Sequence, residues 1–560
     1  MQTLYLNSIS KLFITAVLGM ALLSGCGGGG SSTTPPSADQ VAYNAALANY
    51  NAAGAAPDPV AAYNAAIAEF TTFKNAYPLS TRVDDAGFYI ARATHELALI
   101  DLAQPTPAGS PTLAQARIIY AELINTTSNR ADDAQYQIGR TYYDVANYSQ
   151  ALIEFERVFD TNKYPAPSAG DDARYYIGRT KHEQAVLAEA VTSGTGAALF
   201  TAARTEYNQV LTTYCPLSIR CDDAQYQIGR TYFDVAAPIT TDYSTALGHF
   251  QAVIDTYGTT ASVADDARYY LGRSKHEIAL LPAIPPAVPA YTLNDARAEY
   301  TLVLSNYCTA GVPLSTRCDD ARYQVGRTYF DDPTPTVPNY QLAINEFQNV
   351  LDSYCATVIA SACDNAQYFK ARSIHERALL TTPTIDAAGL ESARTEYGVV
   401  LASYLLSSRR DDAQYQIGKT YFDVGNDAQA ITEFNKVLDI VLFTAPSVGD
   451  DAQYYKARAM HNLANSIVLY DNARIEYAKV NVTAYPLSDR IDDAEFYSAL
   501  TYHDSTQCAF EKTAMQAFVT KYFTSTVPGT VIFVADANVH ITDLNISPSS
   551  NSQRHKACIP

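Results

Sequence analysis

Apolar residues recur at helical spacing in two adjacent segments around residue 145. In the first segment they are Ala134, Ile138, Tyr142 and Val145, and in the second they are Ala151, Leu152, Phe155, Val158 and Phe159. This spacing places each set on one face of an α-helix. Asn147 and Tyr148 separate the two segments, so the pattern predicts a pair of helices joined by a short turn.

The same pattern returns along most of the chain. Asp-Asp-Ala, or a close copy, begins at residues 84, 132, 171, 222, 265, 319, 364, 411, 450 and 492, at steps of 39 to 54 residues. Two kinds of copy alternate, one reading DDAQYQIGRTYYDVA at 132 and the other DDARYYIGRTKHE at 171. Steps of this size are typical of helical repeats. We therefore predict an all-α protein in which each copy is a helical hairpin stacked on its neighbours.

The paired aspartates have a local explanation at the start of each first helix. Asp132 is a favoured N-cap residue, and Gln135 three positions later completes a pattern like a capping box. Asp133 adds negative charge near the positive end of the helix. A calcium site or a catalytic carboxylate pair is the alternative, but adjacent residues at a helix start point in different directions.

The hairpin pattern resembles the tetratricopeptide repeat. That family's small and aromatic positions are matched by Ile138, Gly139, Tyr142, Ala151, Phe155 and Pro165, although its tryptophan is missing here. The resemblance covers about residues 60–505. It implies a TPR-like superhelical solenoid, which we place at residues 39–505.

The N-terminus reads as an export signal with a lipid attachment site. The apolar run from Leu12 to Leu23 is too short to span a bilayer, which is typical of a signal-peptide core. LLSGC, ending at Cys26, resembles the lipobox of bacterial lipoproteins. That resemblance implies that residues 1–25 are removed, that Cys26 carries the lipid, and that the anchor is in the outer membrane. Residues 26–38 read as a flexible tether.

Lipidation, a tether and helical repeats together are similar to the BamD and YbgF families of cell-envelope proteins. Residues 66–93 and 485–497 carry this likeness in their AIAEF and YPLS segments. Those families have about half as many repeats, so the resemblance implies a shared location and architecture and leaves the role open.

Eight further cysteines form four pairs. Three of the pairs are close in sequence, and the fourth lies in the C-terminal segment. We predict disulfides in these pairs, since export leads to an oxidising compartment. The spacing of metal-binding cysteines is not met, so a metal is the weaker alternative. The pairs are Cys215 with Cys221, Cys308 with Cys318, Cys355 with Cys363, and Cys508 with Cys558.

The net charge and the absence of catalytic motifs argue against several classes of function. The formal net charge of -19 argues against nucleic acid, because phosphate binding needs clustered Lys and Arg. No nucleophile elbow, P-loop, HExxH or haem-attachment motif occurs, so we expect no enzyme activity, no cofactor and no metal.

Histidine and tyrosine recur at fixed places in the repeats and are the candidates for contact with a partner. The histidines of successive copies are too far apart to share one metal ion, so we interpret them as structural or groove-lining residues. Tyrosine suits interfaces because it has an apolar body and a polar tip. The candidate partner-binding residues are Tyr143, Tyr176, His182, Tyr270, His276, His375 and His461.

The C-terminal segment 506–560 departs from the repeat pattern. Its residues 530–546 alternate like a short β-hairpin around Asp536, Ala537 and Asn538. We expect this tail to cap the end of the solenoid, or to dock a partner.

These features predict a lipid-anchored scaffold or assembly factor that binds proteins of the cell envelope. Two alternatives remain open at this point. One is a structural surface protein that self-associates, and the other is a binder of peptidoglycan or polysaccharide.

Overall fold

A computed structural model describes residues 37–104, 112–125, 128–259, 262–281, 291–308, 315–355, 362–381, 384–525 and 527–545. All the regular elements in these ranges are helical, which confirms the predicted all-α class. The proposed lipidation residue Cys26, with the signal segment and most of the tether, lies outside the described residues.

All odd-numbered helices but the last are the first helices of hairpins. They are α1 (Ala38–Ala53), α3 (Val83–Leu102), α5 (Ala131–Tyr143), α7 (Gly170–Val191), α9 (Cys221–Phe233), α11 (Ala264–Leu280), α13 (Cys318–Phe330), α15 (Cys363–Leu380), α17 (Arg410–Phe422), α19 (Gly449–Leu463) and α21 (Ile491–Asp504). Those from α3 onward carry the Asp-Asp segments, with Asp-Asn in α15. A final helix, α23 (Pro528–Asn545), follows the last hairpin.

Even-numbered helices are the second helices. They are α2 (Pro59–Ala76), α4 (Leu113–Ile124), α6 (Tyr148–Glu156), α8 (Ala197–Gln209), α10 (Thr240–Tyr257), α12 (Leu293–Tyr307), α14 (Val337–Tyr354), α16 (Ala387–Ser403), α18 (Asp427–Val437), α20 (Ile467–Tyr477) and α22 (Cys508–Tyr522). A 3-10 turn, Arg157–Phe159, extends α6, and a π turn, Val210–Tyr214, extends α8.

The chain divides into two units, Met1–Arg317 and Cys318–Pro560. The first unit contains α1 to α12, and the second contains α13 to α23. Within each unit, every second helix packs between the first helix of its own hairpin and the first helix of the next. Each unit is therefore a stack of helical hairpins.

Each second helix from α2 to α20 places a fully buried aromatic ring at the centre of its hairpin. Phenylalanine and tyrosine alternate strictly at this position: Phe70, Tyr120, Phe155, Tyr207, Phe250, Tyr300, Phe347, Tyr397, Phe434 and Tyr477. Glycine on the facing first helix makes room for the ring in several hairpins. A Cβ atom on Gly229 would lie 2.6 Å from a ring carbon of Phe250, and a Cβ atom on Gly178 would lie 2.7 Å from a ring carbon of Tyr207.

The first aspartate of each pair joins consecutive hairpins. In α5, the Asp132 carboxylate accepts hydrogen bonds from the Ser168 hydroxyl at 2.7 Å and from the Ala169 backbone N–H at 3.0 Å, in the turn before α7. Asp171 accepts from the Ser218 hydroxyl at 2.6 Å in the turn before α9. Equivalent bonds join Ser80 to Asp39, Ser262 to Asp222, Ser315 to Asp265, Ser407 to Asp364 and Ser447 to Asp411.

The second aspartate receives an arginine from the next hairpin. Arg220, immediately before α9, donates to Asp172 of α7 at 2.6 Å and to Asp223 of its own helix at 3.2 Å. Its guanidinium also lies over the Tyr175 ring, 5.2 Å from the centroid. This arginine and the serine two residues before it form what we call the Ser–Arg clamp. The same arrangement involves Arg130 and Arg490, whereas Arg409 donates to the amide oxygen of Asn365, which replaces the second aspartate in α15.

Three details of the sequence interpretation are wrong. Asp132 is not the N-cap of α5, because Arg130 holds that position and makes no capping bond through its side chain, while Asp132 bonds to the next hairpin. Gln135 does not complete a capping box. Its side-chain amide donates to the Glu154 carboxylate of α6 at 2.8 Å. Val145, placed on the core face by its spacing, lies beyond the end of α5 and is 45% exposed.

The predicted C-terminal β-hairpin is also wrong, because Pro528–Asn545 is a helix. The inward-facing residues Thr530, Phe533, Ala537 and His540 are three to four positions apart, which is the period of a helix. The Thr530 hydroxyl donates to Asp492 of α21, as serines do in earlier hairpins. Helix α23 therefore continues the stack and covers its last hairpin, in agreement with a capping role.

Three of the predicted disulfide pairs have both cysteines among the described residues, and all six cysteines are disulfide-bonded. Cys215 is bonded to Cys221, and Cys355 is bonded to Cys363. Each bridge ties the end of a second helix to the start of the next first helix. Cys308 and Cys318, the third predicted pair, are each disulfide-bonded as well. The predicted bridge from Cys508 ends at Cys558, outside the described residues.

Gly229→Ala should destabilise the protein, because the new methyl group must displace the Phe250 ring or its helix. We expect a loss of about 1–3 kcal/mol, as for other overpacked cores. Gly248→Ala on α10 is the matched control. Its Cβ would meet nothing within 4 Å, so it should be neutral or stabilising by up to about 1 kcal/mol. Urea unfolding followed by far-ultraviolet circular dichroism measures both effects. Equal midpoints for the two variants would contradict the packing described here.

Candidate partner-binding face

The first helices of successive hairpins line up on one side of each unit. In the first unit α5 contacts α7, and α7 contacts α9. In the second unit α13, α15, α17 and α19 contact one another in the same succession. We call this side the first-helix face of the unit.

Rows of basic and acidic side chains run along the first-helix face. In α9, Arg230 pairs with Asp234 one turn later at 2.7 Å, and in α7, Arg179 pairs with Glu183 at 3.4 Å. These pairs are partly buried, so each charge is held close to a partner of opposite sign. The first unit also has Arg92 with Glu96, Arg140 with Asp144 and Arg273 with Glu277, and the second has Arg327 with Asp331, Arg372 with Glu376 and Lys419 with Asp423.

Aromatic rings separate the cations of neighbouring helices. The Arg230 guanidinium lies 4.3 Å from the centroid of Tyr270, and the Arg140 guanidinium lies 4.3 Å from that of Tyr176. In the second unit Arg327 lies 4.1 Å from the Phe369 centroid, and Lys419 lies 4.0 Å from the Tyr455 centroid. Cation–π contacts of this kind hold the arginine planes in place and keep like charges apart.

The repeated histidines contact the acidic side chains of these rows from the buried side. His182 Nε2 lies 3.1 Å from the Asp234 carboxylate, the partner of Arg230. Burial opposes ionisation of Asp234, but Arg230 and the bond to His182 outweigh it and lower the pKa of the carboxyl. Asp234 is therefore an anion shared by two donors. His95 with Asp144, His375 with Asp423 and His461 with Asp504 repeat the arrangement.

A small cavity opens on the first-helix face between α7 and α9. Its volume is about 260 Å³, and its walls combine charged, amide and aliphatic groups. Pockets for whole small molecules usually exceed about 300 Å³, so this space fits a side chain of a larger partner better. The lining residues are Arg179, His182, Glu183, Val186, Gln227, Arg230 and Asp234.

The candidate partner-binding residues all belong to first helices, but few of them reach the surface. His182, His276, His375 and His461 are between 1% and 9% exposed, and Tyr176 is 8% exposed. Tyr143 and Tyr270 are partly exposed. The structural interpretation of the histidines thus agrees with their burial, whereas direct contact with a partner stays a prediction for the tyrosine edges.

Sequence reasoning missed the arginine and acid rows. Their signal is present in the sequence, because each copy from 84 to 411 has Arg or Lys eight residues after its first aspartate and Asp or Glu four residues later. Glutamate follows four of the five repeated histidines, His95, His182, His276 and His375. In the structure that glutamate is the partner of the arginine one turn before it, as Glu183 is of Arg179.

Comparison with protein-family models finds one match, to the tetratricopeptide repeat, at residues 411–440. This segment is a tetratricopeptide repeat. It comprises nearly all of α17 and the whole of α18, whose residues Gly418, Ala430 and Phe434 lie where the sequence pattern predicts the close contact between paired helices. Comparison with the curated proteins finds no match.

Several solved structures are similar to this chain. A tetratricopeptide repeat protein from Parabacteroides merdae has 12% identity over 57% of this chain and 98% of its own, with a TM-score of 0.34. Yeast Tom70 has 9% identity over 90% of this chain and 98% of its own, with a TM-score of 0.31. The TPR domain of P58(IPK) has 11% identity over 82% and 99%, with a TM-score of 0.25. At these scores the similarity carries no conclusion about function.

Proposed function

We propose that the chain is a lipid-anchored scaffold of the bacterial cell envelope that holds another protein along its first-helix faces. The observation that carries this proposal is the pair of rows, basic and acidic, that the repeats place on one face with aromatic rings between them. Tetratricopeptide repeats bind other proteins, which supports a protein as the partner.

The chemistry of the rows suits an extended polypeptide. A guanidinium has five N–H donors, and the bond to one carboxylate leaves others for backbone carbonyls or acidic side chains of a partner. The acidic row and the net charge of -19 favour a partner that also carries Lys or Arg. Partly exposed tyrosine edges add apolar contact at low cost in side-chain entropy.

Lipid anchoring supports the envelope location in this proposal. It rests on the lipobox-like segment ending at Cys26 and on the apolar run before it. Among the described residues, no helix has both the length and the apolar composition needed to cross a bilayer.

Site-specific photo-crosslinking in intact Gram-negative cells tests the binding face. Val186 lines the cavity and is 37% exposed, so p-benzoylphenylalanine at this position should crosslink to a partner protein. The same probe at Asn208, exposed on the second helix α8, is the control and should give little product. Equal products at both positions would contradict the proposed face. A product made only of two copies of this chain would support self-association and contradict the scaffold.

Cys26→Ser should move the chain from the membrane fraction to the soluble fraction, because the variant cannot take the lipid. Metabolic labelling with a palmitate analogue should mark the wild type and leave the variant unlabelled. Cys508→Ser is the control and should keep both the label and the membrane location. Retention of Cys26→Ser in the membrane fraction would contradict lipid anchoring through this residue.

A further inference from the structure

Three potential metal ligands meet at the C-terminal end of the second unit. Helix α21 supplies His503, α22 supplies Glu511, and α23 supplies His540. Nδ1 of His503 lies 3.1 Å from Oε1 of Glu511, and Nδ1 of His540 lies 2.6 Å from the same oxygen. One potential ligand atom from each of the three residues lies within 4.8 Å of the others.

The cluster is buried, and one of its oxygens is unused. The side chains of Glu511 and His540 are 1% and 7% exposed, and that of His503 is 23% exposed. Within the described part of the chain, Oε2 of Glu511 is buried without a hydrogen-bond partner. A buried carboxylate oxygen left without a donor is costly, so its presence calls for an explanation.

We propose that His503, Glu511 and His540 bind one divalent transition-metal ion, with Zn²⁺ as the preferred ion. Two imidazoles and one carboxylate are a common ligand set for zinc, and imidazole ligands select against Mg²⁺ and Ca²⁺. The partly exposed side of His503 leaves room for a water molecule as the fourth ligand.

The geometry requires only a small adjustment to hold the ion. Ligand atoms placed about 2.0–2.2 Å from Zn²⁺ lie up to roughly 3.5 Å apart in a tetrahedral site. The nitrogen–oxygen distances at Glu511 are a little shorter than that, whereas the separations among the three ligand atoms reach up to 4.8 Å. The imidazoles therefore shift away from the oxygen and toward each other as the ion replaces their hydrogen bonds. Each neutral imidazole then carries its proton on Nε2 and binds the ion through Nδ1.

The location indicates a structural purpose. Helix α23 is followed by no hairpin among the described residues, whereas first helices within each stack, such as α9 and α17, contact a second helix on both sides. An ion bound by α21, α22 and α23 would join the last three helices, because metal binding stabilises the folded arrangement of its ligands. A cluster of hydrogen bonds from the two histidines to Glu511, without any ion, is the competing explanation.

The site departs from the sequence expectation of no metal. That expectation rested on missing sequence motifs and on the distance between the repeated histidines. His503 stands eleven residues after Asp492, the position that the repeated histidines hold in their own copies, but His540 lies in the C-terminal segment outside the repeats. Their separations from Glu511, 8 and 29 residues, match no sequence motif for zinc, so only the folded arrangement reveals the cluster.

The test uses the mature chain without a polyhistidine tag, first dialysed against a chelator and then titrated with Zn²⁺. We expect one ion per chain by calorimetry and by elemental analysis. Co²⁺ in place of Zn²⁺ should give the intense visible absorption of a four-coordinate ion. Glu511→Gln and His540→Asn should each weaken Zn²⁺ binding at least about tenfold.

His249→Asn is the matched control, since His249 lies on α10 in the first unit, where its ring nitrogen bonds to Gln225 at 2.8 Å. This variant should bind Zn²⁺ as the wild type does. No stoichiometric Zn²⁺ on the wild type would overturn the proposal and leave the hydrogen-bonded cluster as the explanation. Equal Zn²⁺ affinity in Glu511→Gln and the wild type would also overturn it. The wild-type stoichiometry and the Glu511→Gln affinity remain decisive even if His540→Asn does not fold.

Discussion

The bond between the paired aspartates of one hairpin and the serine and arginine of the next is the interaction on which the stack depends. Asp171 and Asp172 of α7 receive Ser218 and Arg220 from the turn before α9, and Arg220 also bonds within its own hairpin. Apolar packing alone allows neighbouring hairpins to slide or rotate. Directional bonds to side-chain oxygens at fixed positions set one arrangement, and they recur at the junctions of Arg130, Arg409 and Arg490.

A fixed arrangement of hairpins has a consequence for the surface. Because consecutive first helices keep the same rotation, residues at equal positions in each copy line up along one face. The row of Arg140, Arg179 and Arg230, with its acidic partners, exists for this reason. The histidines beneath, such as His182, fix the acids from the next hairpin. The same interactions therefore hold the stack together and build the surface proposed to bind a partner.

Much of the fold could be predicted from the sequence, and the parts that could not have identifiable causes. The hairpins could be predicted from the repeated glycine and aromatic positions, because the Phe250 ring occupies the space that a side chain at Gly229 would need. The roles of the aspartates were misjudged, since a local N-cap is the usual purpose of Asp132 and its actual partner, Ser168, is 36 residues away. Helix α23 was mistaken for strands because its β-branched residues alternate over a short stretch. The arginines of the row recur at a fixed spacing in the sequence, but only the stacking of the hairpins brings them together on one face.

Hydrogen exchange in the Arg220→Ala variant tests the central claim most directly, because exchange reports local opening in each helix. Loss of the clamp should cost about 1 kcal/mol or more, which corresponds to roughly fivefold faster exchange of amides in α7 and α9. Arg157→Ala is the control, since Arg157 is 58% exposed and pairs only within its own hairpin with Glu154. The account predicts faster exchange at α7 and α9 in Arg220→Ala alone. Equal exchange in the two variants would contradict it.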